Sequence, residues 1–185
     1  MRSINNNIKY LPSSKEPLSA DVYFIEGEKN CYIYDVGNDT NSLTSINRVG
    51  RGKTVILSHY HKDHTGNIEQ IKCDALYVGR KTHEIIKKGE IVEENITIND
   101  GIKIEIIPCT SPHTDGSLIV NINNEYALIA DLYFTRPPFD TEKAKLMVEH
   151  LKNIDTKYFV ISHLEDEKIV PKEKMITELS EYFTH

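Results

Sequence analysis

The sequence has no apolar run long enough to cross a membrane as a helix, and its first 20 residues lack the apolar core of a secretory signal. These absences predict a cytoplasmic protein with no membrane partner. Positive charge is not in excess either. The formal net charge is -6, so the electrostatic footprint of a nonspecific nucleic-acid binder is missing and nucleic acid is a poor candidate partner, although bound cations would reverse the potential locally. Cysteine is scarce: Cys31, Cys73 and Cys109 lie far apart with no Cys-x-x-Cys pair, which argues against a disulfide frame or a structural zinc knuckle. There is no linker, low-complexity tract or repeat, so a single domain over residues 1–185 is expected.

What is present reads as a globular α/β chain: 39% hydrophobic and 27% charged residues, enough for a substantial core. Tyr23–Glu26 and Cys31–Asp35 read as a hairpin around the turn residues Gly27–Asn30. Thr54–Ser58 and Ala75–Val78 read as strands, and 64–71 and Lys81–Lys88 as helices. A second β-rich stretch covers Ile91–Ile98, Ile102–Ile107, Ser117–Asn121 and Tyr126–Ala130. Apolar residues at 144, 147, 148 and 151 give Thr141–Asn153 a helical period. Tyr158–Ser162 is a last strand, and Pro171–Phe183 a closing helix with proline in its first turn. Both halves run β-rich first and helical afterwards, as two packed sheets with helices outside would require.

The informative segment is Ser58-His59-Tyr60-His61-Lys62-Asp63-His64, directly after an apolar strand. His59 and His61 are two apart, so in extended backbone both imidazoles point to one side. Asp63 and His64 follow where the chain turns into a helix and can face the same cavity from another direction. Imidazole and carboxylate suit zinc and the other borderline divalent ions. The bland reading is a solvated, histidine-rich loop. With 8 histidines in the chain, the pattern His-x-His-x-Asp-His arises by chance in about one such chain per thousand, which favours a metal site. His113 in a turn between strands, Asp131 after Tyr126–Ala130 and His163 after Tyr158–Ser162 each sit at a strand end, where scaffolds carry chemistry.

In this order, His59-x-His61-x-Asp63-His64, His113, Asp131 and His163 resemble the metallo-β-lactamase-fold superfamily over nearly the whole chain. Asp35, in Tyr34-Asp35-Val36-Gly37, is similar to the family's early Asp-x-Gly turn, which supports the ligands from behind. The resemblance implies a four-layer αββα sandwich with two divalent metal ions at one rim, zinc first and iron or manganese as alternatives. It assigns His59, His61 and His113 to one metal, Asp63, His64 and His163 to the other, and makes Asp131 the bridge. A hydroxide shared by the two ions would attack a small-molecule ester, thioester, lactone or phosphodiester, with Asp63 orienting it as the catalytic residue. The carboxylate at 131 is similar to that of the glyoxalase II, lactonase and phosphodiesterase branches rather than to the antibiotic-destroying enzymes. The rival function is iron-dependent redox chemistry of the persulfide dioxygenase kind. Diiron oxygen reductases fit poorly, because glutamate typically stands where this chain has His61.

Two departures carry expectations. Relatives often have proline where Asp115 stands and glycine where Ser162 stands; Asp115 would add negative charge beside His113 and disfavour anionic substrates. The chain also ends 22 residues after His163, so a glutathione-binding helical domain is not expected, and no insertion resembles a tRNA-gripping arm. Gly50-Arg51-Gly52-Lys53-Thr54 fails as a phosphate loop, because the first required glycine falls at Asn47 and a strand follows. Cys109 is read as a buried small side chain, and His83, His150 and His185 as surface residues. Tyr133 and Phe134 follow Asp131 closely, and Tyr133 is read as packing under the site, with a hydrogen bond to a substrate oxygen as the alternative.

Overall fold

The computed structural model describes residues 1–133 and 140–181; Phe134, the final residues of the expected closing helix and His185 lie outside them. In chain order the strands are β1 (Arg2–Ser3), β2 (Ile8–Leu11), β3 (Ser14–Lys15), β4 (Leu18–Ser19), β5 (Val22–Glu26), β6 (Asn30–Tyr34), β7 (Gly52–Ile56), β8 (Ala75–Val78), β9 (Glu90–Ile91), β10 (Ile96–Asn99), β11 (Lys103–Cys109), β12 (Ser117–Ile122), β13 (Tyr126–Ala130), β14 (Tyr158–Ile161) and β15 (Ile169–Pro171). The helices are α1 (Thr40–Asn47), α2 (Lys62–Thr65), α3 (Arg80–Ile86), α4 (Thr141–Asn153) and α5 (Lys172–Glu181), with a 3-10 turn at Ile68–Gln70. One sheet has the order β1-β2-β5-β6-β7-β8-β9, the other β10-β11-β12-β13-β14-β15, and β3 and β4 form a separate small hairpin.

Alternation along the strands explains how the layers stack. In β5 and β6, Tyr23, Ile25, Tyr32 and Tyr34 face the second sheet, while Val22, Phe24, Cys31 and Ile33 face outward. In β12 and β13, Leu118, Val120, Leu128 and Ala130 face inward, and Ile119, Ala127 and Ile129 outward. A strand apolar on both faces must be covered on both. Ile46 of α1, Ile68 and Ile71 cover the first sheet. Met147, Val148 and Leu151 of α4, with Met175, Ile176 and Leu179 of α5, cover the second. The result is the αββα sandwich, with a tyrosine-rich central layer in which Tyr34 is fully buried and donates its hydroxyl to the Leu118 carbonyl at 2.8 Å.

Several sequence expectations need correction. The stretch read as one strand at Ile91–Ile98 is two, and the chain crosses from the first sheet to the second between β9 and β10. The helix expected over 64–71 starts earlier and stops at Thr65, because the Asn67 amide leaves the helix path to donate to the Val36 and Asp39 carbonyls at 3.0 and 2.9 Å. The expected closing helix starts at Lys172, because Ile169–Pro171 pairs with β14 instead. Helix α1, Thr-Asn-Ser-Leu-Thr-Ser-Ile-Asn, consists mostly of weak helix formers and has no helical signal in the sequence. It holds because Asp39 caps it, accepting from the Ser42 N–H at 2.9 Å, and because Ile46 is fully buried. Among the described residues no helix is long and apolar enough to cross a membrane.

The inter-sheet bond from Tyr34 gives a direct test. Tyr34→Phe leaves the Leu118 carbonyl without its partner inside the central layer, and urea unfolding should show a loss of about 1–3 kcal/mol.

Candidate metal centre

Parallel strand pairs place the cluster. β6 and β7 run parallel, so Asp35 and Ser58 emerge together beyond their C-terminal ends. β13 and β14 run parallel in the other sheet and deliver Asp131 and His163 in the same way. The backbone N–H of Leu118 donates to the Ser58 carbonyl at 2.8 Å and ties the two sheets together beside this rim. His59 and His61 lie on the segment between β7 and α2, Asp63 and His64 on α2, and His113 in the β11–β12 loop. Asp35 (φ 60°), Ala130 (φ 47°) and His163 (φ 60°) all adopt left-handed backbone, the strained conformation often found where a site dictates the path.

Behind the cluster lies Asp35, essentially inaccessible to solvent. It accepts the Ser58 N–H and the Ser58 hydroxyl, each at 2.8 Å, and the His64 Nδ1–H at 2.7 Å. With its hydroxyl hydrogen committed to Asp35, Ser58 Oγ accepts from His59 Nδ1 at 2.9 Å. With Nδ1 of both imidazoles turned to this backing, Nε2 is the nitrogen that His59 and His64 present to the cavity.

There the remaining donors meet. His59 Nε2, His61 Nδ1 and His113 Nε2 form a triangle with edges of 3.1, 3.1 and 3.3 Å. On the other side, His163 Nε2 is 3.0 Å from Asp63 Oδ2 and 3.4 Å from His64 Nε2. Asp131 Oδ2 sits between the groups, 3.2 Å from His64 Nε2, 3.5 Å from His113 Nε2, 3.8 Å from His163 Nε2 and 4.0 Å from His59 Nε2. All seven residues singled out in the sequence therefore converge. The arrangement resolves into His59, His61 and His113 on one side and Asp63, His64, Asp131 and His163 on the other.

The electrostatics are those of a pocket short of positive charge. Burial and the neighbouring imidazoles of His64, His113 and His61 hold His59 far below the usual histidine range. Burial also opposes protonation of His64, but Asp35 and Asp131 outweigh it and push the imidazole up to about 10. Burial alone would raise Asp131, yet the hydrogen bond and charge of His64 keep it below the usual carboxylate range. Its Oδ1 is buried without a hydrogen-bond partner.

Cys109 is 4% exposed in the layer between the second sheet and its helices, where burial pushes its thiol up to about 12. Tyr133 packs on that same outer layer and donates to Glu178 at 3.1 Å. His83 Nδ1 meets the Gly89 carbonyl at 2.9 Å. Asp115 forms an exposed ion pair with Lys143 at 2.6 Å. Ser58 and Asp21 were missed as supporting residues: Ser58 stood next to the motif, but nothing in the sequence links Asp21 to His163.

A sequence model of the Metallo-beta-lactamase superfamily matches residues 16–85, which include the first histidine motif. No curated protein sequence matches the chain. Among solved structures, an archaeal metallo-beta-lactamase superfamily protein from Sulfolobus tokodaii is 18% identical, with 100% of this chain and 87% of that one covered and a TM-score of 0.69. A B3 metallo-beta-lactamase described as the first with an active-site glutamic acid is 10% identical, covers 98% and 88%, and has a TM-score of 0.74. A chemotaxis sensor described with a peroxy diiron species is 18% identical, covers 95% and 92%, and has a TM-score of 0.68.

The close approach of the two sheets at this rim yields a second test. A Cβ on Gly79 would overlap the Gly116 carbonyl oxygen, three residues after His113. Gly79→Ala should therefore displace the His113 loop, cost about 1–3 kcal/mol in thermal unfolding of the metal-free protein and lower its metal content.

The two-sheet architecture, the superfamily match at residues 16–85 and the full-length structural similarities identify the chain as a protein of the metallo-β-lactamase fold.

Proposed function

We propose that the chain is a metal-dependent hydrolase that holds two divalent cations and cleaves a small-molecule ester, thioester, lactone or phosphodiester. One observation carries the reading: Asp131 Oδ2 lies within 4.0 Å of donor atoms from both groups while its Oδ1 is buried and unpartnered. The donor set fits the cations in geometry and chemistry. Tetrahedral zinc with Zn–N bonds of about 2.0–2.1 Å needs donors about 3.3 Å apart, close to the 3.1–3.3 Å edges of the His59, His61 and His113 triangle. Inward lone pairs and carboxylates also repel one another unless a cation or proton intervenes.

His59, His61 and His113 would hold one ion, Asp63, His64 and His163 the other, and Asp131 both. When bound, the pair supplies Lewis acidity and acidifies water toward neutrality. Asp63 would orient the attacking water through one carboxylate oxygen and accept its proton. Burial alone would raise Asp63, but the hydrogen bond from His163 and the charge of His64 keep it below the usual carboxylate range, hence ionised at neutral pH. Asp35 acts through Ser58 and His64, setting which imidazole nitrogen faces the cavity.

The test is hydrolysis of a panel of thioesters, lactones and phosphodiesters by zinc-loaded protein without oxygen. Activity there supports the proposal; turnover that requires iron and consumes oxygen would overturn it in favour of the redox rival. The roles separate by mutation. Asp131→Ala should keep the fold and abolish turnover, whereas Asp35→Ala should lower metal affinity or rate by about 10–100-fold. Rate and metal content measured on the same samples check both.

A further inference from the structure

We propose that Asp21, neutralised by Lys168, is a positioning residue that fixes His163 for the second cation, an inference that rests on the two-cation reading above. Asp21 is fully buried and Lys168 is 6% exposed, and their charges meet at 2.7 Å. The aspartate does not simply fill the core. Its Oδ2 accepts the His163 backbone N–H at 2.8 Å and the Ser162 hydroxyl at 3.1 Å, while its Oδ1 accepts the Ser13 N–H at 3.1 Å. The Asp21 N–H in turn approaches Ser162 Oγ at 3.3 Å. Two consecutive residues at the end of β14 are thus gripped by one carboxylate from the segment just before β5.

The grip acts where the backbone most needs it. His163 has φ 60°, a left-handed conformation that disfavours residues with a Cβ. This turn swings its imidazole to within 3.0 Å of Asp63 and 3.8 Å of Asp131. A charge-assisted hydrogen bond to the N–H of the strained residue is well placed to hold that turn. Lys168 has a matching reason to be buried. It follows Glu167, also left-handed at φ 52°, its carbonyl accepts from Ile161 of β14 at 3.0 Å, and its Nζ lies 5.3 Å from the centroid of the Tyr10 ring. It closes the loop that begins at His163 back onto Asp21. Ser162, where relatives often carry glycine, has its hydroxyl enlisted in the same contact.

Zinc titration against a competing chelator tests this on the full chain. Asp21→Ala combined with Lys168→Met removes the grip without leaving a buried charge unpaired. It should bind the first equivalent as the wild type does and the second about 10–100-fold more weakly. Asp21→Asn with Lys168→Met keeps an acceptor for the His163 N–H and should recover most of that loss. Unchanged affinity for both equivalents in the alanine variant, or equal weakening of both, would overturn the proposal. Amide exchange in the wild type keeps the inference testable if the alanine variant does not fold: the His163 N–H should be strongly protected, and fast exchange there refutes the grip. Wild-type protein that binds one equivalent would instead refute the two-cation reading, and this inference with it.

Discussion

A single buried carboxylate sets the orientation of the first histidine motif. Asp35 accepts three hydrogen bonds from Ser58 and His64, and through the Ser58 hydroxyl it also fixes the protonated nitrogen of His59. Without that acceptor, Ser58 could donate to His59, the imidazole could present a proton to the cavity, and the inward lone pairs would be lost. A buried carboxylate is costly to desolvate, and it persists where hydrogen-bond donors surround it.

The fold delivers the rest by topology. Parallel pairing of β6 with β7 and of β13 with β14 brings four strand ends to one rim, and each continues into a supporting or cavity-facing residue. Left-handed turns at Asp35, Ala130 and His163 redirect the chain from the sheets toward the cavity. Two buried aspartates from the first sheet support the cluster: Asp35, just after β6, holds Ser58 and His64, and Asp21, just before β5, holds the His163 backbone. Asp35 reaches both sides of the cluster, His64 directly and His59 through Ser58, whereas Asp21 acts on the His163 side.

The cluster itself was legible because its chemistry is dense and local: His59, His61, Asp63 and His64 fall within six residues, and their strand-to-helix setting is visible in the apolar pattern. The αββα arrangement followed from the resemblance those residues carry. What stayed hidden is long-range or context-dependent. Asp21 and His163 are 142 positions apart, and no local pattern links them. The sheet switch between β9 and β10 is invisible because both strands carry similar residues. Helix α1 depends on a capping aspartate and one buried isoleucine rather than on propensity. The pairing of Asp115 with Lys143, 28 positions on, is equally invisible to local pattern.

On the proposed reading, the convergence around Asp131 holds two cations. Anomalous diffraction above the zinc edge from zinc-loaded crystals addresses it most directly. Two peaks are expected on that reading, one touching His59, His61 and His113, the other Asp63, His64 and His163, with Asp131 in contact with both. A single peak, or two peaks neither of which touches Asp131, would contradict it.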